Sequence, residues 1–165
     1  MEWTTELRYK RYEDWTEEEK KQIKENMANS PWHTHYHVEP KTGLLNDPNG
    51  FSYFNGKWIL FYQNFPFGAA HGLKSWVQLE SDDLVHFKET GLKVLPDTPL
   101  DSHGAYSGSA MQFDDKLFLF YTGNVRDENW IRHPYQIGAL LDQNGNLEKI
   151  DQILIDQPED ATDHF

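Results

Sequence analysis

Two stretches of the chain run apolar and polar residues in the same order. In the first, Phe51-Ser52-Tyr53-Phe54 and Lys57-Trp58-Ile59-Leu60-Phe61-Tyr62 flank Asn55-Gly56. In the second, Ser109-Ala110-Met111-Gln112-Phe113 and Lys116-Leu117-Phe118-Leu119-Phe120-Tyr121 flank Asp114-Asp115. Short runs rich in aromatic and branched side chains around a two-residue turn predict β-hairpins, and Asn-Gly is a strong signal because both positions tolerate positive φ. Superposing Phe54 on Phe113 also superposes Lys57 on Lys116, Leu60 on Leu119, Phe61 on Phe120 and Tyr62 on Tyr121. The copies lie about 60 residues apart, near the upper end of what propeller blades use. Between them, Lys74 to Glu80 and a turn at Ser81-Asp82-Asp83 are expected to supply outer strands of the first unit. A third hairpin is predicted from Gln136 to Ile150, turning at Asn144-Gly145. The pattern reads as an all-β fold with about two propeller blades, and two blades and a fragment cannot close a ring.

The first thirty residues follow another pattern. Thr16 followed by Glu19 makes a capping box, and Glu17 to Met27 is rich in Glu, Lys and Gln, which predicts a short amino-terminal helix. Its few apolar positions, Trp15, Ile23 and Met27, allow packing through a narrow stripe only. The acidic run Glu17-Glu18-Glu19 reads as a solvated face. Two regions are expected: an amino-terminal helical extension over 1–31, and the incomplete amino-terminal part of a β-propeller domain over 32–165. The end of the chain, Asp160 to Phe165, follows a strand-like Ile153-Leu154-Ile155 with no stopping signal, which suggests truncation.

Charge and composition narrow the partners. A formal charge of −12 argues against nucleic acid, whose phosphates are met by clustered Lys and Arg. Aromatic residues at 15% suit β structure and equally suit stacking on sugar rings, so they do not separate the two. The chain has no Cys, hence no disulfide and no thiolate metal site. With no secretory pattern at Met1 to Glu6 and no run of 18 apolar residues, a cytoplasmic protein that does not enter membranes is expected.

The most informative stretch is Leu44-Leu45-Asn46-Asp47-Pro48-Asn49-Gly50. Pro48 restricts its own backbone and that of Asp47, and Gly50 permits a turn, so the Asp47 carboxylate is carried on constrained backbone. An ordinary Asx-type turn explains the same residues without chemistry, and on this stretch alone both readings stand. His33, His35 and His37 alternate and would share one face of a strand, a pattern a metal site can use, but no neighbouring carboxylate completes a ligand set.

Asn46-Asp47-Pro48-Asn49-Gly50 resembles the hallmark of glycoside hydrolase family 32, the invertase and fructanase family. Phe61-Tyr62-Gln63, Tyr106-Ser107-Gly108-Ser109 and Tyr121-Thr122-Gly123 are similar, in order, to three further motifs of that family. The resemblance runs from about Trp32 to Phe165. It implies a five-bladed β-propeller followed by a β-sandwich. The implied activity is retaining hydrolysis of β-fructofuranosides such as sucrose, sucrose 6-phosphate or fructans, without metal or cofactor. Asp47 takes the place of the nucleophile.

The resemblance implies sugar-binding positions at Leu44, Leu45, Asn46, Gln63, Trp76, Tyr106 and Ser107. For Trp76 a core position and a sugar platform weigh equally, because Ser75-Trp76-Val77-Gln78 departs from the His-Trp-Gly-His of many members. The family's general acid, in a Glu-Cys motif, and its transition-state Asp, in Arg-Asp-Pro, have no match here and are expected beyond Phe165. Asp163 lacks the flanking Arg and Pro. No basic residue, Lys74 and Arg126 included, can be placed near the sugar 6-position from sequence. The competing class is a non-catalytic carbohydrate-binding β module.

Overall fold

The computed structural model describes residues 2–160. Strands β1 (Leu44–Phe54), β2 (Lys57–Phe65), β3 (Ser75–Ser81) and β4 (Lys88–Val94) form one four-stranded sheet in chain order. Strands β5 (Ala105–Phe113), β6 (Lys116–Arg126), β7 (Arg132–Leu141) and β8 (Leu147–Lys149) form a second. All neighbours are antiparallel, so each sheet is a four-stranded meander, the topology of a propeller blade. The two sheets meet along β1 and β5. The fold is all-β, with two successive blades.

The repeated hairpins close in the same register, Phe54 opposite Lys57 and Phe113 opposite Lys116. Asn55 and Gly56 take φ of 50° and 78°, the two positive values of a type I′ turn, whose twist matches that of the strands. The predicted third hairpin is not part of a further blade. β7 pairs along β6 from Leu117 opposite Leu141 to Arg126 opposite Arg132, so β7 and β8 complete the second blade. The long pairing of β6 outweighs the local turn signal in deciding which sheet β7 joins.

Both hairpins share a backbone plan and bury opposite faces of it. Between the blades lies one apolar cluster, built from Phe54, Ile59, Phe61 and Trp76 on one side and Leu117, Leu119, Tyr121 and Ile137 on the other. Ile59 and Phe61 are odd positions of β2, whereas Leu117, Leu119 and Tyr121 align with the even positions Trp58, Leu60 and Tyr62. Stacked blades require this alternation, because each presents one pleat face to the blade before it and the other to the blade after it.

The amino-terminal segment packs onto the first blade. Helix α1 (Thr5–Arg8) leads through a turn of 3-10 helix to helix α2 (Glu17–Ala28). Thr16 and Glu19 form the reciprocal capping box that the sequence predicts. Trp15 is buried and stacks on Phe67 at 4.3 Å between ring centroids, and Ile23 packs against the same cluster. His33, His35 and His37 lie outside any strand, and His33 bonds to Glu39 Oε1 at 2.7 Å. No group of three or more metal-ligating residues occurs among the described residues. Nor is any helix among them long and apolar enough to cross a membrane. Asp163 and the segment Thr162 to Phe165 lie outside the described residues.

Candidate active site

Each inner strand is interrupted at its start by a bulge. In blade one, Leu45 pairs with Asn64 and Pro48 with Tyr62, so Asn46 and Asp47 together oppose Gln63. In blade two, Ala105 pairs with Gly123 and Gly108 with Tyr121, so Tyr106 and Ser107 together oppose Thr122. A bulge breaks the strict alternation of side chains and can re-aim one of them. Here it turns Asp47 of β1 and Ser107 of β5 towards each other across the junction of the blades.

The result is a closed triangle of hydrogen bonds. Gln63 Nε2 donates to Asp47 Oδ2 at 3.0 Å and to Ser107 Oγ at 2.8 Å, and Ser107 Oγ donates to the same Asp47 oxygen at 2.7 Å. Both amide hydrogens of Gln63 are thereby used. Gln63 is 1% exposed, whereas Asp47 and Ser107 are exposed, so the triangle has a buried base and an open mouth. Asp47 Oδ1 takes no side-chain hydrogen bond among the described residues, which leaves one carboxylate oxygen free towards the mouth.

Further groups hold the triangle in place. Lys74 Nζ donates to Gln63 Oε1 at 3.2 Å, which fixes which end of the amide faces Asp47. Lys74 is almost fully buried, and this burial lowers its pKa, an effect that the charge of Asp47 opposes. Asn49, buried, donates from Nδ2 to the Asp47 carbonyl at 3.0 Å and accepts from Gly108 N–H at 3.0 Å. It therefore ties the backbone beside the nucleophile candidate to the facing blade. Gly50 has φ of +54°, and a Cβ there would come within 2.9 Å of the Phe61 ring and 3.1 Å of the Ala110 Cβ, so the last position of the motif is a place where β1 lies too close to its neighbours for a side chain.

Of the residues singled out from sequence, Asp47, Gln63 and Ser107 meet in this triangle. Asn46 lies beside Asp47 in the bulge, and its Oδ1 is buried with no hydrogen-bond partner among the described residues. Leu44 and Leu45 flank the bulge, and their side chains go to two different apolar clusters.

Trp76 corrects the expectation of a sugar platform. It is 0% exposed, lies in the core between Phe61 and Tyr121, and donates Nε1–H to the Tyr106 carbonyl at 3.0 Å. A ring enclosed on both faces cannot stack on a ligand, so its part is to support the second bulge from beneath. The Tyr106 ring sits between Lys74 Nζ, 4.8 Å from its centroid, and the Arg132 guanidinium, 5.7 Å away. Burial pushes its hydroxyl pKa up, and contact with Tyr9 adds to this.

Sequence reasoning did not assign Asn49 or Lys74 to the site. The signal for Asn49 was present, since it is the second Asn of the motif, but its partner Gly108 is supplied by the other blade. Lys74 carries no local signal, because its role depends on which strand lies beside β3.

Residues 37–165 match the N-terminal domain of glycosyl hydrolases family 32. The chain is 72% identical over 159 residues to sucrose-6-phosphate hydrolase of Streptococcus mutans, covering 96% of this chain and 33% of that protein. Among solved structures, sucrose-6-phosphate hydrolase from Lactobacillus gasseri superposes with a TM-score of 0.92 at 51% identity, covering 96% of this chain and 32% of that one. A GH32 beta-fructofuranosidase of Bombyx mori superposes with a TM-score of 0.72 at 30% identity, over 91% of this chain and 32% of that one. The chain thus spans about a third of the length of the relatives it matches.

Proposed function

The chain belongs to glycosyl hydrolases family 32, and from that premise we propose that it carries the nucleophile-bearing part of a retaining β-fructofuranosidase acting on sucrose 6-phosphate or sucrose. The observation that carries the reading is the triangle of Asp47, Gln63 and Ser107, residues far apart in sequence that two bulges bring to one open point.

The free Oδ1 of Asp47 attacks the anomeric carbon of the fructosyl unit while the leaving-group oxygen takes a proton from a general acid, and a covalent fructosyl ester forms. Water then attacks the same carbon, deprotonated by the same acid/base group, and Asp47 is released. Gln63 and Ser107 hold Oδ2, so attack needs little reorganisation of the carboxylate. In this reading Asn46 and Ser107 meet fructosyl hydroxyls with Tyr106 beside them, whereas Leu44 and Leu45, whose side chains enter apolar clusters, support the bulge and do not touch the sugar. A retaining mechanism needs a second carboxyl group about 5 to 5.5 Å from the first. The chain has no Glu-Cys motif, and the reading assigns the acid/base to a residue outside this chain.

The substrate is a small sugar, and the reading places the enzyme in the cytoplasm, consistent with a chain free of Cys. Residues 1–31 are an accessory extension and 32–165 belong to the catalytic propeller. No specific observation favours a non-catalytic carbohydrate-binding module.

The test is Asp47→Asn in the intact protein. It keeps the shape and removes the attacking charge, so turnover of sucrose and its 6-phosphate should fall on the order of 10,000-fold while sugar binding persists. Near-normal turnover would remove Asp47 as nucleophile.

A further inference from the structure

The amino-terminal segment reaches the face of the molecule that carries Asp47, and it does so through the loop between β2 and β3. Leu73 N–H donates to the Arg8 carbonyl at 2.7 Å, and Tyr12 Oη donates to the Leu73 carbonyl at 2.9 Å. Both backbone groups of Leu73 are thus taken by the segment. Gly72 admits this contact, since a Cβ there would come within 2.5 Å of the Arg8 carbonyl oxygen. The Arg8 backbone is therefore fixed against the loop that carries His71 and Lys74, and Lys74 is the residue that holds Gln63, itself bonded to Asp47.

Three side chains able to carry positive charge gather there, in a chain whose formal charge is −12. Arg8 is partly buried and forms no ion pair among the described residues, and its Nε is buried without a hydrogen-bond partner. Lys74 is buried, donates to an amide oxygen and lies over the Tyr106 ring, and it forms no ion pair among the described residues. His71 is exposed beside them. Besides its partial burial, the charges of Lys74 and Arg8 lower its proton affinity and that of Asp47 raises it, so all three fields reach this one ring. The nearby Asp47 is already engaged by Gln63 and Ser107.

A partly desolvated guanidinium with an unmet N–H costs stability that an anionic acceptor restores, and its forked donors suit phosphate oxygens. Beside a nucleophile for sugar transfer, that anion is carried by the substrate. We propose, resting on the β-fructofuranosidase reading, that Arg8 and His71 form a subsite for the phosphate monoester of a phosphorylated fructofuranoside, with Lys74 adding its charge from beneath. The amino-terminal extension is then a specificity element as well as a packing one.

The experiment compares kcat/KM for sucrose 6-phosphate and for sucrose in the intact protein and in Arg8→Gln, Arg8→Lys and His71→Asn. The intact protein should prefer the phosphorylated sugar by about tenfold or more, and Arg8→Gln should cut that preference by about tenfold, chiefly through KM for the phosphorylated sugar. Arg8→Lys should keep part of the preference, and His71→Asn should lose less than Arg8→Gln.

If Arg8→Gln does not fold, inhibition of sucrose hydrolysis by glucose 6-phosphate and by glucose is compared in the intact protein and Arg8→Lys. Stronger inhibition by the phosphate, weakened in Arg8→Lys, supports the subsite, and equal inhibition by the two sugars sinks it. Equal losses on both substrates in Arg8→Gln, or an intact protein with no preference, would overturn the subsite and leave the glycosidase reading standing. Failure of the intact protein to hydrolyse either sugar would overturn both.

Discussion

Blade one and blade two each set two residues of the inner strand against one residue of the next: Asn46 and Asp47 oppose Gln63, and Tyr106 and Ser107 oppose Thr122. The backbone device is shared, and the side chains on it are not. In blade one the bulge carries a carboxylate, and the residue opposite it spends both amide hydrogens on the site. In blade two the bulge carries a hydroxyl that points into the first blade's triangle, whereas Thr122 turns away and donates to Gln136 Oε1 at 3.1 Å within its own sheet. A repeated fold therefore supplies the same place twice, with a carboxylate at one copy and a hydroxyl that bonds to it at the other.

Replacing the residue opposite each bulge should separate the copies most strongly. Gln63→Leu removes the grip on Asp47 and also strands Lys74 Nζ without its acceptor, so kcat in the intact protein should fall on the order of 100-fold. The counterpart Thr122→Val should change kcat by less than about threefold, as expected of a hydroxyl bonded outside the site. Comparable losses in both variants would break the distinction between them.

The link between the blades should matter next. Asn49→Ala removes the bonds to the Asp47 carbonyl and to Gly108 N–H, both only partly buried, so thermal or denaturant unfolding should show a loss of about 1 kcal/mol. Turnover should fall with it, because Asp47 loses its tether. Ser107→Ala removes the charge-assisted hydrogen bond to Asp47 and the acceptor of one Gln63 amide hydrogen while Gln63 still holds Asp47, so kcat should drop about tenfold with a small loss of stability to unfolding.

The smallest effect is expected outside both blades. Hydrogen bonds from Lys10 and from Thr16 hold the Glu19 carboxyl well below its ordinary 4.5, at about 2. A depressed folded-state value stabilises above the unfolded-state pKa and loses that contribution as pH falls from about 4.5 towards about 2. Amide exchange in the first turn of α2 should accelerate over that window before exchange in β2 or β6 does. Simultaneous loss of protection in all three would show that the cap is not an independent unit.

Much of the fold was legible in the chain. The repeated Phe-x-x-Lys order located both hairpins with their turns, and Thr16 with Glu19 located the start of α2. These features were legible because turn chemistry, capping and side-chain alternation act over a few residues. The Pro and Gly of Asn-Asp-Pro-Asn-Gly likewise predicted constrained backbone at Asp47, and the resemblance of the motif, rather than that constraint, made Asp47 the nucleophile candidate.

What the tertiary structure decided is everything that depends on which strand lies beside which. Trp76 was balanced between core and platform until the second blade enclosed it, because local sequence does not determine what covers a ring. Leu60 and Leu119 occupy the same place in the repeat, yet Leu119 is fully buried and Leu60 is not, because adjacent blades meet through opposite faces of the pleat. Asn49 and Lys74 gained roles in the site only when Gly108 and Gln63 came within hydrogen-bond reach. The sequence by itself determined the hairpins and their turns, and it singled out Asp47 as a candidate. The stacking of the two blades determined where that carboxylate points and what holds it, because side chains far apart along the chain share a site only after sheet packing has brought their backbones together.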